Sequence, residues 1–159
     1  MEYSKIDKLG VNPSLLGFGC MRFPKKEDGT IDEVEAERML DHAIESGVTY
    51  IDTAYPYHDG ESEPFVGRVL KKYKRKDYYL ATKLPMFKIN SLEQAKEIFE
   101  EQMKRLDVNY VDFYLLHALN TGKIDQKQFL ESYSKLRELQ RNSISELITS
   151  DETLRRHTR

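Results

Sequence analysis

The chain has 159 residues, 39% of them hydrophobic and 33% charged, a balance that excludes a wholly disordered or membrane-embedded chain and suits one domain with its own core. A formal charge of −2 gives no general attraction to nucleic acid or anionic lipid, and a single cysteine, Cys20, excludes an internal disulfide framework. No Cys/His cluster has metal-ligand spacing and no stretch is apolar enough for a signal peptide or a membrane span, so a cytoplasmic protein without nucleic-acid or membrane partners is expected.

In chain order, Met1 to Ser14 reads as a short hairpin turning at Gly10-Val11-Asn12-Pro13, followed by a first buried strand, Leu15 to Gly19. Thr30-Ile31-Asp32-Glu33 has the form of a capping box, in which Thr30 and Glu33 satisfy free backbone amides at a helix start. Ala36, Met39, Leu40, Ala43 and Ile44 would form that helix's apolar stripe. Gly47 supplies the left-handed residue that ends many helices, and Val48 to Thr53 is the second strand.

Ser62-Glu63-Pro64 opens a second helix, with Pro64 tolerated in the first turn and Phe65, Val66, Val69, Leu70 and Tyr73 on one face. The basic run Lys71-Lys72-Tyr73-Lys74-Arg75-Lys76 reads as the cationic end of that surface helix. Tyr78 to Thr82 is strand three. A second capping box, Ser91-Leu92-Glu93-Gln94, opens a helix whose Leu92, Ala95, Ile98, Phe99 and Leu106 return at helical spacing. Strand four is Tyr110 to Leu116, and a last helix runs from about Gln126 to Gln140, burying Phe129, Leu130, Tyr133 and Leu136.

Strand ends recur at about residues 19, 53, 82 and 116, a spacing of roughly one βα unit of 30 residues. Strands alternating with helices argue for a parallel sheet, and this rhythm for the first four βα units of a (β/α)₈, or TIM, barrel preceded by a hairpin. In such barrels reactive groups sit where strands end. Here Asp52 closes the second strand, Lys83 the third and His117 the fourth, with Tyr57 on the loop after Asp52. Carboxylate, phenol, ammonium and imidazole would therefore converge on one rim.

That set suits carbonyl reduction, which needs hydride on carbon and a proton donor within hydrogen-bond reach of the oxygen. A phenol is a poor acid at neutral pH, and a neighbouring cation improves it by stabilising the phenolate. The order Asp-Thr-Ala-x-x-Tyr, Ala-Thr-Lys and Leu-Leu-His resembles the aldo-keto reductases. The resemblance implies Tyr57 as proton donor, Lys83 as the cation beside it, Asp52 as the group that holds Lys83, and His117 as a donor to the substrate oxygen. It also implies NADPH as cofactor and a small aldehyde or ketone as substrate.

The resemblance runs from about Tyr3 to Gln140. Leu16-Gly17-Phe18-Gly19-Cys20-Met21-Arg22 looks like the family's first strand and loop, which implies that the backbone of Gly19, Cys20 and Met21 lies beside the nicotinamide ribose. Gly17 and Gly19 read equally well as small residues allowing close strand packing. Gly60-Glu61-Ser62-Glu63 is similar to the family's segment after the tyrosine, with Glu63 as structural support. The hairpin and Cys20-Met21-Arg22-Phe23-Pro24 look most like bacterial members with an added C-terminal iron-sulfur domain, whose cysteines do not occur here.

The sequence divides at residue 140, with 1–140 resembling the N-terminal half of such a barrel and 141–159 reading as a divergent polar tail, either disordered or a frayed helix start. Ile144, Leu147 and Ser150 align with the family's fifth strand, but its glycines and basic turn are missing. Truncation or a change of reading frame near residue 141 is expected. An incomplete barrel exposes strand edges, so self-association through them is expected. A rival reading is a non-enzymatic remnant or interaction module.

Overall fold

Two antiparallel bridges, Tyr3 to Ser14 and Ile6 to Val11, close the N-terminal hairpin, and Gly10 turns it with a φ of 66°. The computed structural model describes residues 1–7 and 10–118 and, as a strand, 144–149. The expected helix from Gln126 to Gln140 lies outside the described residues. After the hairpin, strand β1 (Gly17–Gly19) is shorter than expected. Leu15 and Leu16, read as part of a buried strand, are about 60% exposed, because they precede β1 and the sheet offers it a neighbour only on the β2 side among the described residues.

Helix α1 (Glu33–Glu45) starts later than the proposed capping box. Asp32 is its cap, accepting from the Glu35 N–H, while Thr30 is taken up by Asp28 in the turn at Gly29. The hydroxyl that would have capped the helix is thus used two residues earlier. Ala36, Leu40 and Ala43 form the buried stripe, whereas Met39 stays exposed at its margin. The chain continues through β2 (Tyr50–Asp52), α2 (Ser62–Leu70), β3 (Tyr79–Pro85), α3 (Leu92–Leu106) and β4 (Val111–His117). Ser91 caps α3 as expected, accepting the Gln94 N–H at 3.2 Å, and Gln94 reaches back to the Asn90 N–H at 2.8 Å.

All strands are parallel and neighbour one another in chain order, β1-β2-β3-β4-β5. This unbroken order is that of a barrel arc; a doubly wound sheet would reverse its order at a switch point. The fifth strand, β5 (Ile144–Thr149), lies parallel to β4 within the segment read from sequence as a polar tail. The arc therefore exceeds the four expected strands by one. Its Ile-Ser-Glu-Leu-Ile-Thr sequence holds three β-branched residues and a leucine, enough to pair despite lacking the family's glycines.

Strand alternation sorts the side chains into two layers. Ile51, Leu80, Leu84, Tyr114 and Leu116 are fully buried toward the helices with Leu40, Phe65, Val66, Leu70, Phe99 and Leu106. The opposite parity holds Tyr50, Asp52, Tyr79, Lys83, Phe113 and His117. At the amino ends of the strands this inner layer is aromatic, with Phe113 between Tyr50 at 5.2 Å and Tyr79 at 6.2 Å between ring centroids. At the carboxyl ends it is polar.

The basic run after α2 does more than complement a helix dipole. Lys72 bridges to Glu37 and Asp41 of α1 at 2.7 and 2.5 Å. Arg75 lies over the Tyr110 ring at 3.9 Å and reaches Asp112 at 2.6 Å, whose same oxygen accepts the Leu80 N–H. These contacts fasten the end of the sheet opposite the polar rim. Among the described residues no helix is long and apolar enough to cross a membrane.

Candidate active site

Asp52 is the last residue of β2 and His117 the last of β4, while Lys83 stands two residues before the end of β3 at Pro85. Equal parity puts all three on the inner layer at one rim. Lys83 is nearly buried, and its Nζ donates to Asp52 Oδ1 at 2.5 Å and to the Thr53 carbonyl at 2.8 Å. The same ammonium lies over the Tyr57 ring, 4.7 Å from its centroid. Tyr57 meets the His117 ring edge-on at 5.8 Å, and the Phe87 ring also lies against His117 at 6.3 Å. The four residues singled out in the sequence thus form one connected cluster.

Burial, and then the Lys83 cation, hold the His117 imidazole below its usual 6.5, with Asp52 opposing. At neutral pH the ring is neutral and can donate from one nitrogen. Its Nδ1 is buried without a hydrogen-bond partner among the described residues.

Tyr57 is placed by a tight loop. Its N–H donates to the Ala54 carbonyl at 3.1 Å, and the next three residues all have positive φ: His58 at 52°, Asp59 at 57° and Gly60 at 96°. Left-handed backbone costs about 1 kcal/mol or more for each residue with a side chain. His58 is offset by a hydrogen bond, its Nε2 accepting the Phe23 N–H at 3.2 Å.

A cleft of about 500 Å³ opens beside the cluster, lined by Met21, Arg22, Phe23, Lys25, Pro56, Tyr57, His58 and His117. Its charged lining is cationic, which favours an anionic ligand. Of the three residues expected beside a nicotinamide ribose, Met21 lines this cleft. Gly19 lies opposite Asp52 in the β1–β2 register, with nothing within 4 Å of where a Cβ would project. Cys20 turns its side chain into the core, where burial and then Asp52 push the thiol far up and keep it unreactive. Open space beside Gly19 and a cleft bordered by Met21 and Tyr57 fit the nicotinamide end of a dinucleotide.

Behind Lys83 lies a buried polar network that sequence reading missed. Gln102 donates to Glu63 Oε1 at 2.6 Å, Thr82 Oγ1 at 3.0 Å and the Lys83 carbonyl at 3.1 Å, and accepts from the Tyr114 hydroxyl at 2.6 Å. Thr82 also donates to Glu63 at 2.6 Å. Burial raises the Glu63 carboxyl, which these hydrogen bonds and Arg105 partly counter. The signal was present: Gln102 continues the apolar spacing of Ala95, Phe99 and Leu106 on α3. Glu63 is the support expected of it, because it fixes the strand that carries Lys83.

The model of the aldo/keto reductase family matches residues 15–144, and the chain belongs to that family of oxidoreductases. It is 33% identical to a probable aldo-keto reductase of Glycine max over 74% of this chain and 36% of that protein. Aldo-keto reductase YhdN of Bacillus subtilis is 35% identical over 74% of this chain and 38% of its own length. Among solved structures, the holo form of an aldo-keto reductase from Bacillus halodurans superposes with a TM-score of 0.77 at 28% identity, covering 99% of this chain and 53% of that one. The chain spans about two fifths of the curated relatives and about half of the solved barrel. The arc of strands described above is therefore part of a TIM-barrel fold.

Proposed function

We propose that this chain carries the proton-delivering side of an NADPH-dependent reductase of small aldehydes or ketones. The observation that supports it best is the Lys83 ammonium, 2.5 Å from Asp52 and 4.7 Å from the centre of the Tyr57 ring, with His117 edge-on to the same ring. Asp52 and the Thr53 carbonyl hold the ammonium in place. Its positive charge stabilises negative charge on the phenol oxygen as Tyr57 gives its proton to the substrate oxygen. Neutral His117 donates a hydrogen bond to that oxygen while charge develops there. Gly19, Met21 and the backbone at Cys20 would hold the nicotinamide end of NADPH, which supplies hydride when bound.

Titration of the purified chain with NADPH, followed by nicotinamide fluorescence, tests this reading. Saturable micromolar binding that competes with NADP⁺ supports it, and no binding by folded protein rejects it. A second reading draws on β1, which has a strand neighbour on one side only among the described residues and carries exposed Leu15 and Leu16 beside it. In that reading the chain is an interaction module that pairs this edge with another chain, a second copy included, and turns nothing over. Light scattering that finds a monomer at all concentrations counts against pairing between copies.

A further inference from the structure

The strained backbone after Tyr57 is tied to one side chain. His58 bridges two loops that line the same cleft: its Nε2 accepts the Phe23 N–H at 3.2 Å and its ring lies against the Phe23 ring at 5.6 Å. Phe23 is itself locked. It is buried, edge-on to Phe65 of α2 at 5.1 Å and tilted against Phe18 of β1 at 6.0 Å. Asp59, equally strained, is exposed, so the fixed point of the loop is the imidazole. We propose that His58 is the positioning residue for Tyr57, holding the tyrosine loop onto the Cys20–Phe23 segment and so setting where the phenol stands relative to Lys83 and His117. This rests on the reading of Tyr57 as proton donor.

The Phe23 bond forms only while Nε2 has a free lone pair. Protonation would set an imidazolium N–H against the Phe23 N–H, donor facing donor. Burial, and then Lys25, keep His58 below its usual 6.5, while hydrogen bonding to the Cys20 backbone, the Asp59 carboxylate and the Met21 backbone pull the other way. Arg22 and His117 border the same cleft and add no carboxylate to it. The Phe23 bond is therefore intact at neutral pH and is lost in mild acid, which loosens the loop it helps to anchor.

The test is NMR of the full chain between pH 5 and 8, in a His117→Asn background so that one imidazole near Tyr57 titrates. The Phe23 amide and Tyr57 ring resonances are expected to move together, with one midpoint below 6.5 shared with His58. His58→Gln, whose side-chain oxygen can accept the same bond, is expected to keep the Phe23 amide in place and abolish the pH dependence at both residues. His58→Ala is expected to displace both at every pH. A Tyr57 ring that stays still while the His58 titration moves the Phe23 amide would overturn the proposal, as would unshifted Tyr57 resonances in His58→Ala. These shifts need no turnover, so failure of the proton-donor reading, seen as undiminished turnover in Tyr57→Phe, is a separate result.

Discussion

Lys83 and Asp52 meet although they are not register partners: Asp52 pairs with Ala81 and Lys83 with Leu115. The lysine side chain leans back along the inner face to reach a carboxylate at the end of the neighbouring strand. Its ammonium is thereby held under Tyr57 and cannot extend into solvent. Lys83→Met removes this charge and leaves Asp52 and the Thr53 carbonyl without their donor. Turnover is expected to fall about 10²–10⁴-fold, the range for losing assisted proton transfer, with NADPH affinity little changed. Steady-state kinetics beside fluorescence titration separates the two effects.

Two glycines predict opposite outcomes. A Cβ on Gly67 would sit 2.5 Å from the Leu106 carbonyl oxygen, where α2 presses on the end of α3. Backbone cannot yield as a flexible side chain can, so Gly67→Ala is expected to cost about 1–3 kcal/mol by urea unfolding. Gly19→Ala meets nothing within 4 Å and adopts ordinary extended backbone, so the fold should keep its stability. NADPH affinity should nonetheless weaken, because the new methyl occupies the space assigned to the nicotinamide end.

Gln102→Leu tests the network behind Lys83. The change fits the apolar stripe of α3 but orphans the Tyr114 hydroxyl and removes a donor from Glu63 and from the Lys83 carbonyl. A loss of roughly 2–4 kcal/mol is expected, since each stranded buried group costs about 1–3 kcal/mol. Urea unfolding reads it directly. No destabilisation would mean that the network contributes nothing beyond packing.

Three of the shifted groups bear on stability between about pH 4.5 and neutrality, above the range of the lowered carboxyls Asp28, Glu35 and Asp41. His58 and His117 are both depressed in the fold, so the folded state favours their neutral forms. Their contribution is present above the unfolded value near 6.5 and is lost as pH falls through their folded values. Glu63 is raised, so the folded state favours its neutral carboxyl, and stability from this group declines as pH climbs from 4.5 through its folded value. Urea midpoints should therefore fall below pH 6.5, and His58→Gln combined with His117→Asn should flatten that acid limb.

The cluster was legible because Asp52, Lys83 and His117 sit at or near strand ends, where parity and the barrel rule fix the direction of the side chain, and Tyr57 follows on the loop after Asp52. Asp52, Tyr57, Lys83 and His117 come together for that reason. Loop geometry was not legible. Nothing local to His58 announces a left-handed backbone or a bond to Phe23, 35 residues away. The cap of α1 was misplaced because Asp28, Thr30 and Asp32 all carry side-chain oxygens able to accept from the free N–H groups of a helix start, and only the turn at Gly29 decides among them. β5 was read as part of a polar tail, although Ile144, Leu147 and Ser150 align with a fifth strand, because its pairing depends on the neighbouring β4 edge more than on its own composition.

The most direct measurement is NADPH oxidation at 340 nm with a small aldehyde, comparing the wild-type chain with Tyr57→Phe at equal cofactor saturation. The phenol as proton donor predicts turnover that drops about 10²–10⁴-fold in the variant while NADPH still binds. Equal turnover in the two proteins, or none in a wild-type chain that binds NADPH, would contradict it.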